Sequence, residues 1–228
     1  MNWMKKVAVA LVCLLPLGLQ AAKIDTLQVK SPSMNKSIEV VVVSPDVAAT
    51  KACPVIYLLH GYGGNACTWV GIKPDLPKIA DEKGIFFVCP DGKNTWYWDS
   101  PLNADVRYET FISNELVKYV DSHYKTVADR KGRAITGLSM GGHGAMWNGL
   151  RHSDVFSAAG STSGGVDIRP FPKNWEMSVQ IGEKAKYPEN WEKYTVINLV
   201  PTLRKDQIAL IFDCGDSDFF LEVNKNYH

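Results

Sequence analysis

Residues 137–141 read Gly-Leu-Ser-Met-Gly, a G-x-S-x-G pentapeptide centred on Ser139. A serine hydroxyl becomes an effective nucleophile only when a base takes its proton and fixed donors receive the oxyanion that forms. The pentapeptide follows a strand-like run, Arg133–Leu138 (RAITGL), and precedes a small-residue stretch of helical propensity, residues 141–151. That strand–turn–helix setting is the nucleophile elbow, in which a sharp turn lifts the serine out at the top of a sheet. Only small residues tolerate such a turn, and Gly137, Gly141 and Gly142 flank it. Ser139 is therefore the candidate nucleophile of an acyl-transfer reaction, close to the positive end of the following helix.

Two backbone amides should complete the machinery. One belongs to the residue after the nucleophile, Met140. The other should come from a loop after an earlier strand, and His60-Gly61-Tyr62-Gly63-Gly64 closes the apolar run Pro54–Leu59 (PVIYLL). Its glycines let the amides turn inward, and Tyr62 is the expected donor. His60 and Gly61 lie where substrate would pass. Asn94–Pro101 (NTWYWDSP) follows another strand-like run, and Trp96 and Trp98 are candidate contacts for an acyl or aryl group. Asp91 and Asp99 read as loop-fixing hydrogen-bond partners. Three aspartates after the last apolar run compete for the acid: Asp213, Asp216 and Asp218.

The elements that must carry these residues alternate. Strands are expected at Lys36–Ser44, Pro54–Leu59, Ile85–Cys89, Arg133–Leu138, Phe156–Ser161 and Ile208–Cys214, most of them continuous apolar runs of the kind buried on both faces. Between them, residues 110–124 place Phe111, Ile112, Leu116, Tyr119 and Val120 at helical spacing. Strands alternating with helices imply a mostly parallel sheet covered on both faces, with ligands bound beyond the carboxyl ends of its strands. Residues 166–199, rich in Trp, Tyr and Pro without a clean period, read as an irregular excursion that could wall a pocket.

The 228 residues suit one domain, and a chain this long needs no metal or disulfide to hold a core. Net charge is +1, and only short pairs such as Lys5-Lys6 and Arg130-Lys131 break it locally, which argues against nucleic acid as a partner. Residues 1–22 read as a signal peptide: Lys5 and Lys6, an apolar run Val7–Leu19, then Gln20-Ala21-Ala22. That run is shorter than the ~20 residues a membrane span requires. A secreted or periplasmic mature chain from residue 23, without a membrane span, is the expectation. Cys53, Cys67, Cys89 and Cys214 show no zinc-like spacing and read as structural.

HGYGG, PDG, NTWYWDSP, ELVKYVDSHY, ITGLSMGGHGAM and LIFDCGDSDFF, in this order, resemble the esterase family that includes esterase D (S-formylglutathione hydrolase), feruloyl and acetyl-xylan esterases, and the mycobacterial mycolyltransferases. The resemblance runs from about Lys36 to the end. It implies an α/β-hydrolase fold, a Ser/Asp/His triad in that chain order, and no metal or organic cofactor. The family pattern G-x-x-D followed by an apolar pair selects Asp218 as the acid, with Asp216 second. The histidine should follow the acid after a further helix and strand, at least about 25 residues on, and only ten remain after Asp218. His60, His123, His143 and His152 are poorly situated for the role, and residues 219–228 look like the start of that helix. The reading is therefore of a fragment whose C-terminal strand, helix and catalytic histidine are missing. The implied activity is hydrolysis of a small ester or of acetyl or feruloyl groups on polysaccharide, with S-formylglutathione disfavoured for an exported protein. The alternatives are acyl transfer of the mycolyltransferase type and an inactive carbohydrate-binding relative.

Overall fold

Which faces of the strands are apolar decides how this chain layers, and the computed structural model describes residues 22–227. The segment expected as a signal peptide lies outside them but for Ala22. The chain enters as β1 (Lys23–Ser31), which pairs over its whole length with β2 (Lys36–Ser44) in an antiparallel hairpin, from Lys23 opposite Ser44 to Ser31 opposite Lys36. β1 was not among the strands expected from sequence. Its polar, half-exposed alternation offers no apolar run, and only pairing with β2 makes it a strand.

The remaining order is β3 (Val55–Leu59), α1 (Thr68–Ile72), α2 (Leu76–Lys83), β4 (Phe86–Pro90), α3 (Tyr108–Thr110), α4 (Val117–His123), β5 (Arg133–Leu138), α5 (Met140–Arg151), β6 (Ala158–Thr162), α6 (Met177–Ile181), α7 (Pro188–Lys193), β7 (Ala209–Asp213) and α8 (Leu221–Tyr227). A π-helical stretch, Phe111–Leu116, joins α3 to α4 in one continuous rod where a single regular helix was expected. The seven strands are ordered β1-β2-β4-β3-β5-β6-β7. β2 runs antiparallel to β4, and every pair from β4 to β7 is parallel. The mostly parallel α/β-hydrolase sheet expected from sequence is present.

β2 shows how the faces divide. Val40 and Val42 join the larger core with Tyr57, Leu59, Ile135 and Phe111, while Val41 and Val43 join a second one with Leu58, Phe87, Leu76 and Ala80. Helices therefore cover both sides. α5 lies against β5 with no side chain between them: a Cβ on Gly137 would stand 2.3 Å from the Gly141 carbonyl, and one on Gly141 would stand 2.1 Å from the Leu59 oxygen.

Within the irregular excursion of residues 166–199, α6 and α7 form and bury Met177, Ile181 and Trp191. The run IALIFDC forms an exposed edge of the sheet. β7 is the last strand of the sheet, and Leu210 and Ile211 stand 37% and 74% exposed. Cys53, Cys67, Cys89 and Cys214 are all free thiols, with Cys53 and Cys89 buried in the core.

Candidate active site

The parallel register gathers the candidate residues at one edge. Leu59 pairs with Gly137, Gly137 with Ser161, and Thr162 with Asp213. The chain beyond each strand therefore begins at the same level: His60 after β3, Ser139 after β5, Ser163 after β6 and Cys214 after β7. Ligand sites form where strands of a parallel sheet end together.

Ser139 adopts φ +56° and ψ −117°, backbone that side chains other than glycine rarely accept. Its amide donates to Thr162 O (2.9 Å), and its carbonyl accepts the first bond of α5, from His143 N (3.0 Å). This strained turn into α5 is the elbow expected from sequence, and it leaves Ser139 half-exposed at the sheet edge. Met140, buried behind it, begins α5, where first-turn amides have no intrahelical acceptor.

The loop after β3 lies alongside. A side chain on Gly61 would begin 3.6 Å from Ser139 Cβ. Gly64 N donates to Gly61 O (3.0 Å), closing a turn around Tyr62 and Gly63. Gly63, at φ +76°, donates its amide to Asn94 Oδ1 (2.9 Å). Tyr62 is 37% exposed, and its phenol is raised by desolvation and by the Glu176 carboxylate that it hydrogen-bonds.

His60 was expected to meet substrate, and the structure corrects this. The ring is 1% exposed and fixed at both nitrogens: Nδ1 lies 2.8 Å from Gly61 O, and Nε2 accepts the Gly92 amide at 2.9 Å. Tyr97 Oη adds a bond to the His60 carbonyl (3.0 Å). His60 thus ties the β3 loop to the turn after β4. In that turn Asp91 accepts the Lys93 amide (2.9 Å) and ammonium (2.6 Å). Burial raises its carboxyl, but the His60 and Lys93 contacts outweigh burial and hold it well below the usual carboxylate range. Asp99 likewise fixes a loop, accepting Thr110 N (3.0 Å) and Oγ1 (2.6 Å) at the start of the rod.

Trp96 and Trp98 are core residues rather than substrate contacts. They are 1% and 0% exposed, stack on each other at 5.7 Å, and both meet the His143 ring edge-on at about 5 Å. Trp96 Nε1 donates to Trp175 O (3.1 Å), so the NTWYWDSP segment supports the 166–199 excursion from beneath. Accessible aromatics include Tyr62 and the 61%-exposed Phe219, which stacks on half-buried Trp175 at 5.2 Å. Trp175 belongs to the aromatic excursion that sequence placed near a pocket, whereas Phe219 carried no such signal, since ring type does not reveal which face of a loop it occupies.

Of the three aspartates, Asp213 is exposed within β7 and Asp216 is exposed in the following turn, whereas Asp218 is half-buried. Asp218 Oδ1 accepts Phe220 N (2.7 Å), an Asx turn that leads into α8. Phe220 is buried against Trp175 and Phe171, which anchors this turn to the excursion. An open groove of about 350 Å³, lined by Phe212, Asp213, Cys214, Leu221, Asn224 and Lys225, runs between β7 and α8.

The four described histidines are all engaged. His60 is fixed as above, and His152 Nε2 bonds Glu109 (2.8 Å). His123 Nδ1 contacts Tyr119 O (2.8 Å) on the exposed end of α4. His143 is fully buried within α5 with Nδ1 at 2.8 Å from Gly165 O, and desolvation lowers it to about 4. Its ring meets Trp96 and Trp98 edge-on.

A mostly parallel sheet with a strained serine between β5 and α5, beside a glycine-rich loop after β3, defines the α/β-hydrolase class. Within it, residues 31–227 match the family described as "Putative esterase", and the chain belongs to that family. It is 28% identical over 149 residues to esterase Rv1288 of Mycobacterium tuberculosis, covering 62% of this chain but only 32% of that protein. It is 26% identical over 189 residues to an acetyl esterase of Caldicellulosiruptor saccharolyticus, covering 75% of this chain and 68% of the relative. A solved ferulic acid esterase superposes with a TM-score of 0.73 at 29% identity, covering 91% of this chain and 84% of that one. No described helix is long and apolar enough to cross a membrane.

Proposed function

We propose that the chain hydrolyses a carboxylic ester through an acyl-enzyme on Ser139. The observation that carries this reading is the strained φ of Ser139 beside the Gly61–Gly64 turn, because strain of this kind persists only where the surroundings enforce it and clusters at active sites. Ser139 Oγ attacks the ester carbonyl, and the Met140 and Tyr62 amides receive the oxyanion. The alcohol departs with the proton taken from Ser139, and water then releases the acid by the reverse sequence. Asp218 is the proposed acid that orients the base, being the least exposed of the three aspartates. The base is a histidine outside residues 22–227, since His60, His123, His143 and His152 are each engaged elsewhere.

The similarity to an acetyl esterase and a ferulic acid esterase supports a substrate that is a small ester or an acetyl or feruloyl group on polysaccharide. The apolar segment Val7–Leu19 supports export to the periplasm or medium. The test is p-nitrophenyl acetate turnover by the full-length protein, with mass spectrometry of the trapped acyl-enzyme. An acetylated Ser139 peptide and loss of turnover in Ser139→Ala are expected. Turnover that survives Ser139→Ala would place the nucleophile elsewhere. Product analysis with an added sugar alcohol separates hydrolysis from acyl transfer.

A further inference from the structure

The loop after β3 offers several amides to the site, and the structure disposes of them unequally. Gly64 N is consumed by Gly61 O (3.0 Å), and Gly63 N is consumed by Asn94 Oδ1 (2.9 Å). Tyr62, between Gly61 and Gly63, keeps an amide with no acceptor among the described residues. The acceptor that makes this distinction is not part of the loop. Asn94 lies on the segment after β4, thirty-one positions further along the chain.

Asn94 is itself held from a third element. Its Nδ2 donates to Glu176 Oε2 (3.3 Å), just before α6. A side-chain amide has one acceptor end and one donor end. With a backbone N–H on one side and a carboxylate on the other, only one orientation of Asn94 serves both. Glu176 is held in turn by its own backbone, since Trp175 and Glu176 have φ +47° and +53°. The Trp175 carbonyl is pinned by Trp96 Nε1 (3.1 Å). The Tyr62 phenol lies near enough to the same carboxylate to be raised by it, so Glu176 neighbours the loop on that side as well.

We propose that Asn94, oriented by Glu176, is a positioning residue for the oxyanion loop: by capturing the Gly63 amide it fixes the Tyr62–Gly63 peptide, and with it the turn that presents the preceding Tyr62 N–H to Ser139. The proposal rests on the ester-hydrolase reading above and adds to it a part that neither the G-x-S-x-G motif nor the glycine-rich loop contains. It also gives the excursion before α6 a role in chemistry, because the last link of the clamp belongs to it.

Two readouts test this on the full-length protein. The first needs no turnover: hydrogen exchange at the Gly63 amide. Replacing Asn94 by Ala removes the acceptor, and protection at Gly63 is expected to fall about tenfold or more, as for a surface amide that loses its hydrogen bond. Unchanged protection overturns the proposal. The second is steady-state hydrolysis of p-nitrophenyl acetate. Misaligning one oxyanion donor should lower kcat by about 10–100-fold while KM stays nearly constant. A rise in KM at constant kcat overturns the positioning role.

Rescue guards against a merely structural effect. Asn94→Asp keeps an acceptor for Gly63 but sets a carboxylate against Glu176, so it should lower kcat. Adding Glu176→Gln to it restores a donor–acceptor pair and should return kcat toward the parent. Failure of the pair to improve on Asn94→Asp counts against the clamp. Should Ser139→Ala leave turnover intact, or should the parent show no Ser139-dependent turnover, the hydrolase reading fails, and the Gly63 exchange measurement still decides the clamp.

Discussion

Ser139 sits in a backbone region that costs about 1–3 kcal/mol for a residue with a side chain. A glycine there would release that strain, whereas alanine would keep it. Ser139→Gly is therefore expected to unfold at a higher urea midpoint than Ser139→Ala, corresponding to about 1 kcal/mol of unfolding free energy. Equal midpoints would mean that the turn is unstrained. The position of Ser139 was legible because a tight strand-to-helix turn demands small neighbours, and glycines mark it. Asn94 and Glu176 were not legible in their roles. Neither carries a spacing rule, and their meeting with Gly63 depends on three separate loops reaching one edge. Trp96 and Trp98 were misread because a tryptophan in a loop after a strand suits a pocket wall or a core equally well, and only burial distinguishes them.

α5 carries the consequences of burial further along. His143 is neutral in the folded state, with its value lowered by desolvation from 6.5 to about 4. Between those values the unfolded chain binds a proton that the native ring refuses, so stability falls as pH drops from about 6.5 to about 4, by up to about 3 kcal/mol. Urea midpoints at pH 7 and pH 4.5 should separate further for the parent than for His143→Gln, which has nothing to titrate there. A parent no more acid-sensitive than the variant would contradict a neutral buried ring. At the other end of α5, buried Glu109 accepts Trp147 Nε1 (2.7 Å), Arg151 Nε (2.7 Å) and His152 Nε2 (2.8 Å), riveting the rod of α3 to this helix. Glu109→Ala leaves a buried indole N–H and a cation without partners and should cost about 3 kcal/mol in thermal or urea unfolding. Most strands were legible from apolar or β-branched runs bounded by turn residues, including both ends of β2, and α5 was legible from its helical propensity, whereas α1 and α2 gave no such signal. The π-helical stretch within the rod was not, because its residues have ordinary helical spacing. β1 was missed because only hydrogen bonding to β2 organises its polar alternation.

Across the whole molecule, the two edges of the sheet are unequal. β1 presents a strand bearing Lys23, Asp25, Gln28 and Lys30, whereas β7 presents Leu210 and Ile211 to solvent and pairs, among the described residues, only with β6. Unpaired apolar edges template association between chains. Self-association of a polypeptide spanning these residues, followed by light scattering against concentration, should weaken in Ile211→Lys with unfolding unchanged. Scattering indifferent to that substitution would show that the edge is not the contact. The order of strands was legible only in outline, since alternation of strands and helices implies a parallel sheet but not the full sequence of neighbours within it.

The contact between α5, β5 and β3 inverts the usual meaning of an alanine scan. Elsewhere in the core, alanine removes atoms and opens a void. At Gly137 and Gly141 it inserts a methyl carbon 2.3 Å and 2.1 Å from main-chain atoms that cannot swing aside. Gly141→Ala should therefore cost at least about 3 kcal/mol, more than truncating many larger residues. A comprehensive substitution map of this protein would show its most intolerant positions at its smallest residues, and a drift in sequence that leaves every large core side chain intact could still dismantle the elbow by adding a single carbon.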